Sequence, residues 1–183
     1  GVRVGKGTNN QFNATGVGVS VLGSSTGASV TGVGYQALFA NTTGYSNTAV
    51  GDSSMKSNTT GSQNTAIGWQ TLYSNATGVQ NVAVGRNALY AVTGSNNTAV
   101  GANAGSSIST GTNNTLLGYN SGANLLSQNN IMILGSGTGN GMVADEISIS
   151  TSGNGYERIR VNASGDVGVG TTTPTDRLHI YST

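Results

Sequence analysis

Asn47-Thr48-Ala49-Val50-Gly51 returns four more times along the chain. The copies are Asn64-Thr65-Ala66-Ile67-Gly68, Asn81-Val82-Ala83-Val84-Gly85, Asn97-Thr98-Ala99-Val100-Gly101 and Asn114-Thr115-Leu116-Leu117-Gly118. A fixed short period, here of about 17 residues, marks a solenoid in which one repeat makes one coil. Aligned on the large apolar residue before the glycine, the pattern extends to eight copies, from Val17-Gly18 to Leu134-Gly135. A Thr-Gly pair, as in Thr43-Gly44, Thr60-Gly61 and Thr77-Gly78, lies a few positions upstream of that apolar residue. Each coil therefore reads as two short extended segments separated by two glycine corners.

Strand is favoured over helix throughout. Asn, Thr and Gly are poor helix formers, whereas Val, Ile and Thr suit a pleated surface. Segments of a few residues between glycines are also too short to nucleate a helix. The expectation is an all-β chain, a parallel β-solenoid (β-roll) of about eight coils, each about 16–17 residues long. Residues 1–12 fit the repeat poorly and read as a terminal or partial coil of a longer chain. The repeat occupies 13–141. Over 142–183 the text changes to period-two alternation, as in Glu146-Ile147-Ser148-Ile149-Ser150 and Glu157-Arg158-Ile159-Arg160-Val161, with Ser152-Gly153-Asn154-Gly155 between them. That pattern predicts a β-hairpin in a small, strand-rich C-terminal unit.

Composition narrows the function. Of 183 residues only 7% are charged, the formal net charge is +1, and there is no Cys. Leu, Ile, Val and Phe make up about a fifth of the chain, which borders on a disordered composition, but disorder also calls for high net charge. With no basic cluster, nucleic acid is not an expected partner. No apolar run is long enough for a membrane helix, so membrane insertion is not expected. Catalysis is not expected either. Within the coils Asp52 is the only carboxylate, and the chain's one imidazole, His179, sits on an alternating segment that reads as structural. Calcium stacking in a Gly-rich solenoid needs a recurring acidic ligand, and Asp52 does not recur. No metal or cofactor is expected.

Four columns carry the remaining expectations. Val33, Val50, Ile67, Val84, Val100 and Leu117 read as the core column. Asn47, Asn64, Asn81, Asn97 and Asn114 read as an amide ladder. Five positions beyond the core column stand Leu38, Met55, Leu72 and Leu89, with Phe39, Tyr73 and Tyr90 one further on. So short a coil cannot easily enclose both apolar columns, so this second set is expected to form an interface among several parallel chains, three of them. A single-chain β-helix with one apolar side is the alternative. The second column stops at Gly105, Gly122 and Gly139, where the packing is expected to change. Two positions past the core column the chemistry varies most, through Tyr35, Asp52, Trp69, Arg86, Ala102 and Tyr119. Tyr35, Trp69, Arg86 and Tyr119 are candidate surface contacts, for instance with sugar rings, although rings that merely cover the neighbouring coil would look the same. Sequons such as those at Asn41, Asn58 and Asn75 arise readily in a chain this rich in Asn and Thr, so they do not imply glycosylation.

The repeat over 34–51, Gly-Tyr-Gln-Ala-Leu-Phe-Ala-Asn-Thr-Thr-Gly-Tyr-Ser-Asn-Thr-Ala-Val-Gly, resembles repeats of bacteriophage tail-fibre and tail-spike proteins. It is also similar in architecture to the head repeat of trimeric autotransporter adhesins, which is shorter. The segment Gly165-Asp166-Val167-Gly168-Val169-Gly170-Thr171-Thr172-Thr173-Pro174, with Arg177-Leu178-His179-Ile180, is similar to a segment of phage-type fibres. The resemblance covers about 30–120 and 165–180. It implies a homotrimeric fibre on a virion or cell surface that contacts host glycans or other fibre subunits. A self-assembling extracellular filament subunit or a bacterial adhesin head is the rival expectation.

Overall fold

The computed structural model describes residues 3–5, 14–136, 146–150 and 157–181, and it carries thirteen strands in one sheet whose spatial order follows the sequence. They are β1 (Arg3–Gly5), β2 (Thr15–Gly18), β3 (Thr31–Val33), β4 (Thr48–Val50), β5 (Thr65–Ile67), β6 (Val82–Val84), β7 (Thr98–Val100), β8 (Thr115–Leu117), β9 (Met132–Leu134), β10 (Ile147–Ser150), β11 (Glu157–Val161), β12 (Val167–Val169) and β13 (Leu178–Ile180). There is no helix among the described residues. From β2 to β9 each strand pairs in parallel with the next, one coil further on, as a β-solenoid of about seven turns. Equivalent residues stack: Thr48 faces Thr65, Ala49 faces Ala66 and Val50 faces Ile67.

Both ends depart from simple repetition. β1 lies antiparallel on β2, with Arg3 opposite Gly18, and the rest of the partial coil expected at 1–12 lies outside the described residues. At the other end β10 still pairs in parallel with β9, Ile147 opposite Met132. β10 and β11 then form the expected antiparallel hairpin, and β12 and β13 continue the same sheet. The expected end of the repeat near Gly141, and Gly139, fall outside the described residues.

The two apolar columns exchange the roles expected of them. In a three-residue strand the middle side chain points one way and its neighbours the other. The middle residues, Ala49, Ala66, Ala83 and Ala99, are fully buried. Val33, Val50 and Val84 are therefore only half-buried on the outer side, and Ile67, Val100 and Leu117 are exposed. They are not the core. Leu38, Met55, Leu72 and Leu89 are fully buried within one chain, so they cannot line an interface between chains. Small Ala opposite large Leu or Met is what lets so narrow a coil close.

Two turn residues aim the Leu column inward. Gln36 and Leu38 both have positive φ, 53° and 52°, and the same alternation recurs at Ser53 and Met55, Gln70 and Leu72, and Asn87 and Leu89. A bulky residue in this region costs of order 1 kcal/mol or more. The conformation is held because each amide reaches the adjacent coil: Leu38 N–H donates to Ser54 O, Met55 to Thr71 O and Leu72 to Ala88 O, at 2.9–3.1 Å. The corner before it needs glycine. Gly51 has φ 134°, and a Cβ there would collide with the carbonyl of Gly68 in the coil beyond.

Where Leu stops, the core volume moves elsewhere. Gly105 and Gly122 keep the left-handed conformation of the Leu column, with φ 60° and 65°, but add no side chain. The strand position opposite grows from Ala99 to Leu116 and Ile133, both buried. A third inward column changes in step, from Asn41, Asn58 and Asn75 to Val92, Ile108 and Leu125. A Cβ on Gly105 would lie 2.8 Å from Leu116 Cδ1 and 2.8 Å from Leu89 Cδ2, so the vacated space is filled. Density is conserved by redistribution, as close packing of an interior requires.

Candidate functional site

No deep constellation presents itself. Among the described residues no three His, Cys, Asp or Glu side chains gather into a metal-holding group. His179 on β13 is half-buried, and its Nδ1 accepts from the Thr175 amide at 3.4 Å. What the molecule offers instead is linear: ladders inside, a ridge at one corner, and a broad outer sheet face.

The ladder of Asn47, Asn64, Asn81, Asn97 and Asn114 is buried and ties backbone to backbone. Asn47 Oδ1 accepts the amide N–H of Asn64 at 3.0 Å, and Asn64 Oδ1 accepts that of Asn81 at 2.9 Å. Asn47 Nδ2 donates to Gly61 O at 2.7 Å and Asn64 Nδ2 to Gly78 O at 2.8 Å. Each side chain thus satisfies a corner amide of the next coil and shares a corner carbonyl, Gly61 O with Asn58 Nδ2 and Gly78 O with Asn75 Nδ2. Asn64→Ala strands Asn81 N–H, while Gly78 C=O keeps its bond from Asn75 Nδ2, a loss of about 2 kcal/mol. The check is amide hydrogen exchange, in which Asn81 is expected to exchange about 30-fold faster while amides two coils away keep their rates. Unchanged exchange at Asn81 would show that the ladder is decoration.

A second ladder is not apparent from the sequence. Asn41, Asn58 and Asn75 are fully buried. Asn58 Nδ2 donates to Asn41 Oδ1 at 2.6 Å and Asn75 Nδ2 to Asn58 Oδ1 at 3.3 Å, and each also reaches a glycine carbonyl a short turn further on. Their recurrence once per coil is the signal that could have found them. The ladder ends at Val92, which has no donor to offer, and Asn75 Oδ1 is left without a hydrogen bond. These three asparagines are sequon residues whose amides face inward. A shorter ladder joins Asn87, Asn103 and Asn120 at the corner, with 3.3 and 3.0 Å steps.

The variable corner does stand in solvent. Tyr35, Trp69 and Tyr119 are 50%, 45% and 60% exposed, and Asp52 and Arg86 are also exposed. The Arg86 guanidinium lies 5.6 Å from the Trp69 ring centroid, so one face of that ring is occupied by a neighbouring coil. On the adjoining side Tyr73 and Tyr90 stack at 5.1 Å with 9° between planes, and Lys56 Nζ sits 5.7 Å from the Tyr73 centroid. Coil spacing of about 4.8 Å suits ring stacking along the axis. Tyr73 and Tyr90, expected at an interface, turn their faces to each other within the chain. Phe39 remains exposed at the end of this row. Tyr119, next to Ala102 in its column, keeps the most open ring.

The third feature is the outer face of the sheet. Outward positions of β2 to β8 are mostly Thr and Val or Ile, as Thr48 with Val50 and Thr65 with Ile67. Register carries the same face onward through Met132 and Leu134, Ile147 and Ile149, then Ile159 and Val161, Val167 and Val169, and Leu178 and Ile180. No Asp, Glu, Lys or Arg occupies an outward strand position from β2 to β10. No described helix is long and apolar enough to cross a membrane. No protein-family model, curated protein or solved structure matches the chain.

Proposed function

We propose that this chain is a structural fibre segment, a stiff trimeric shaft that presents contact groups along its flank to a host or other surface. The observation that carries the reading is the combination of an asparagine ladder tying the coils of β4 to β8 together with outward strand positions that carry no charge from β2 to β10. Such a body resists bending and has a side suited to packing against others. Recognition would be multivalent: weak contacts at the Tyr35, Trp69, Arg86 and Tyr119 corner, summed over three copies, give avidity without a deep pocket. The resemblance to phage tail fibres supports a virion or cell-surface setting and a glycan as the contacted group.

A filament subunit that stacks end to end is the second reading. Among the described residues β13 is an edge strand of the sheet, and Leu178, Ile180 and Tyr181 there are 60–64% exposed. Such an edge is a template for further pairing. Negative-stain images separate the two: discrete rods of one length are expected of a shaft, and indefinite filaments would sink it. In the same preparation Tyr119→Ala is expected to reduce binding to glycan-bearing cells about tenfold or more, because avidity multiplies a small loss over the copies. Unchanged binding would remove the corner from the proposal.

A further inference from the structure

We infer that the outer sheet face is the seam of the oligomer, covered by further copies of this chain running parallel and in register. The inference rests on the shaft reading and assigns its partner and its interface. From β2 to β13 one face of the sheet runs roughly 50 Å at the usual strand spacing. Along it Ile67, Val100, Leu117, Ile149, Leu178 and Ile180 are 42%, 40%, 37%, 36%, 60% and 64% exposed. A strip of about 10 Å width is of order 500 Å² before side-chain relief, at the upper end of what a monomer leaves apolar and open. It also approaches the ~800 Å² per partner of specific interfaces.

The occupant follows from periodicity and from a gradient. Every outward residue repeats once per coil, so only a partner with the same rise can match the strip along its length. A second copy does so by construction. With no charge from β2 to β10, no like-charge repulsion opposes stacking a column on itself. The gradient sets the direction. The first outward position is Thr in β2 to β5, β7 and β8, then Met132 in β9 and Ile147 in β10. Parallel, in-register packing places Thr on Thr, where hydroxyls can bond one another, and Ile on Ile. Antiparallel packing would press Thr hydroxyls onto Ile149 and Leu178 and desolvate them without partners.

The natural chain has no Cys, so single-Cys variants report directly. Ile67→Cys and Leu117→Cys lie three coils apart on the seam, and Thr77→Cys is an exposed control off it. All three change solvent-facing side chains and leave the inward columns intact. Each variant is treated with a short bismaleimide and run on a denaturing gel, with light scattering on the untreated sample. Both seam variants are expected to self-link at least tenfold more than Thr77→Cys. Linking saturates at about two-thirds of the chains if three copies surround the axis, since one pair forms per trimer. An oligomer whose seam variants link no better than the control overturns the seam while leaving the shaft reading standing. An oligomer in which Ile67→Cys links only to Leu117→Cys in a mixture overturns the parallel register. A monomer by light scattering overturns the shaft reading itself.

Discussion

Leu116→Ala is expected to lose about 3 kcal/mol of stability, and Gly105→Leu in the same chain to recover most of it. Leu116 is fully buried, and the turn residues beside it are Gly105 of the preceding coil and Gly122 of its own. Truncation therefore opens a void between two glycines, into which only the tips of Leu89, Ile108 and Leu125 could shift, so the cavity term stays large. Gly105→Leu alone fails for the opposite reason. Its Cβ starts 2.8 Å from Leu116 Cδ1, so the added bulk overpacks the coil by roughly 1–3 kcal/mol. Together the two substitutions restore the arrangement of the earlier coils, Ala on the strand and Leu at the turn. The backbone already allows it, because Gly105 has φ 60° where Leu72 and Leu89 have 52° and 50°. Its amide donates to Ser121 O at 2.8 Å, as that of Leu72 donates to Ala88 O at 3.0 Å. Urea midpoints of the four proteins give the coupling, expected at about 2 kcal/mol or more. Additive losses would refute the exchange of volume between columns.

Arg160→Ala is the second large effect. Glu146 and Arg160 are 4% and 5% exposed, with Glu146 Oε2 3.8 Å from Arg160 Nη1. Arg160 Nη1 also donates to Thr172 O at 3.2 Å, tying β11 to the segment after β12. Glu146 stands in the column of the Asn ladder, one step past Ile131, since its carbonyl accepts from Met132 N–H as that of Ile131 accepts from Thr115. Removing the guanidinium leaves a buried carboxylate beside the lost charge, at a cost of about 3–5 kcal/mol. Glu146→Gln with Arg160→Met removes both charges and is expected to fall within about 1–2 kcal/mol of the natural chain, as replaced buried pairs generally do. Thermal melting compares the two. A single variant that melts with the natural chain would mean the pair contributes nothing to holding the C-terminal hairpin.

The solenoid was legible because its evidence is periodic: Asn, Ala and Gly recur at one spacing, and the parallel register repeats it residue for residue. Which side each column faces was not. Period-two alternation holds only while the chain is extended, and the left-handed turn at Gln36 and Leu38 breaks the count between Val33 and Leu38. Parity carried across such a turn assigns Val to the core and Leu to the outside, and both assignments invert. The second Asn ladder was hidden for another reason. Asn41, Asn58 and Asn75 open Asn-X-Thr triplets that read as chance products of composition, although each is interior. The outer corner was readable as solvent-facing from its chemical variety, but the pairing of Arg86 with Trp69 depends on rotamers that no spacing encodes.

The migration of bulk from Leu89 to Leu116 divides the stack into two kinds of building block. A coil from the Asn41 to Leu89 stretch ends in surfaces that fit another of its kind, so whole coils there are interchangeable and the rod can grow or shrink by one coil at a time without a misfit. Across the Ala99 to Leu116 junction that freedom ends, because a small strand residue would meet a glycine and leave a void, or a large one would meet Leu. The junction marks a fixed address on an otherwise repetitive rod.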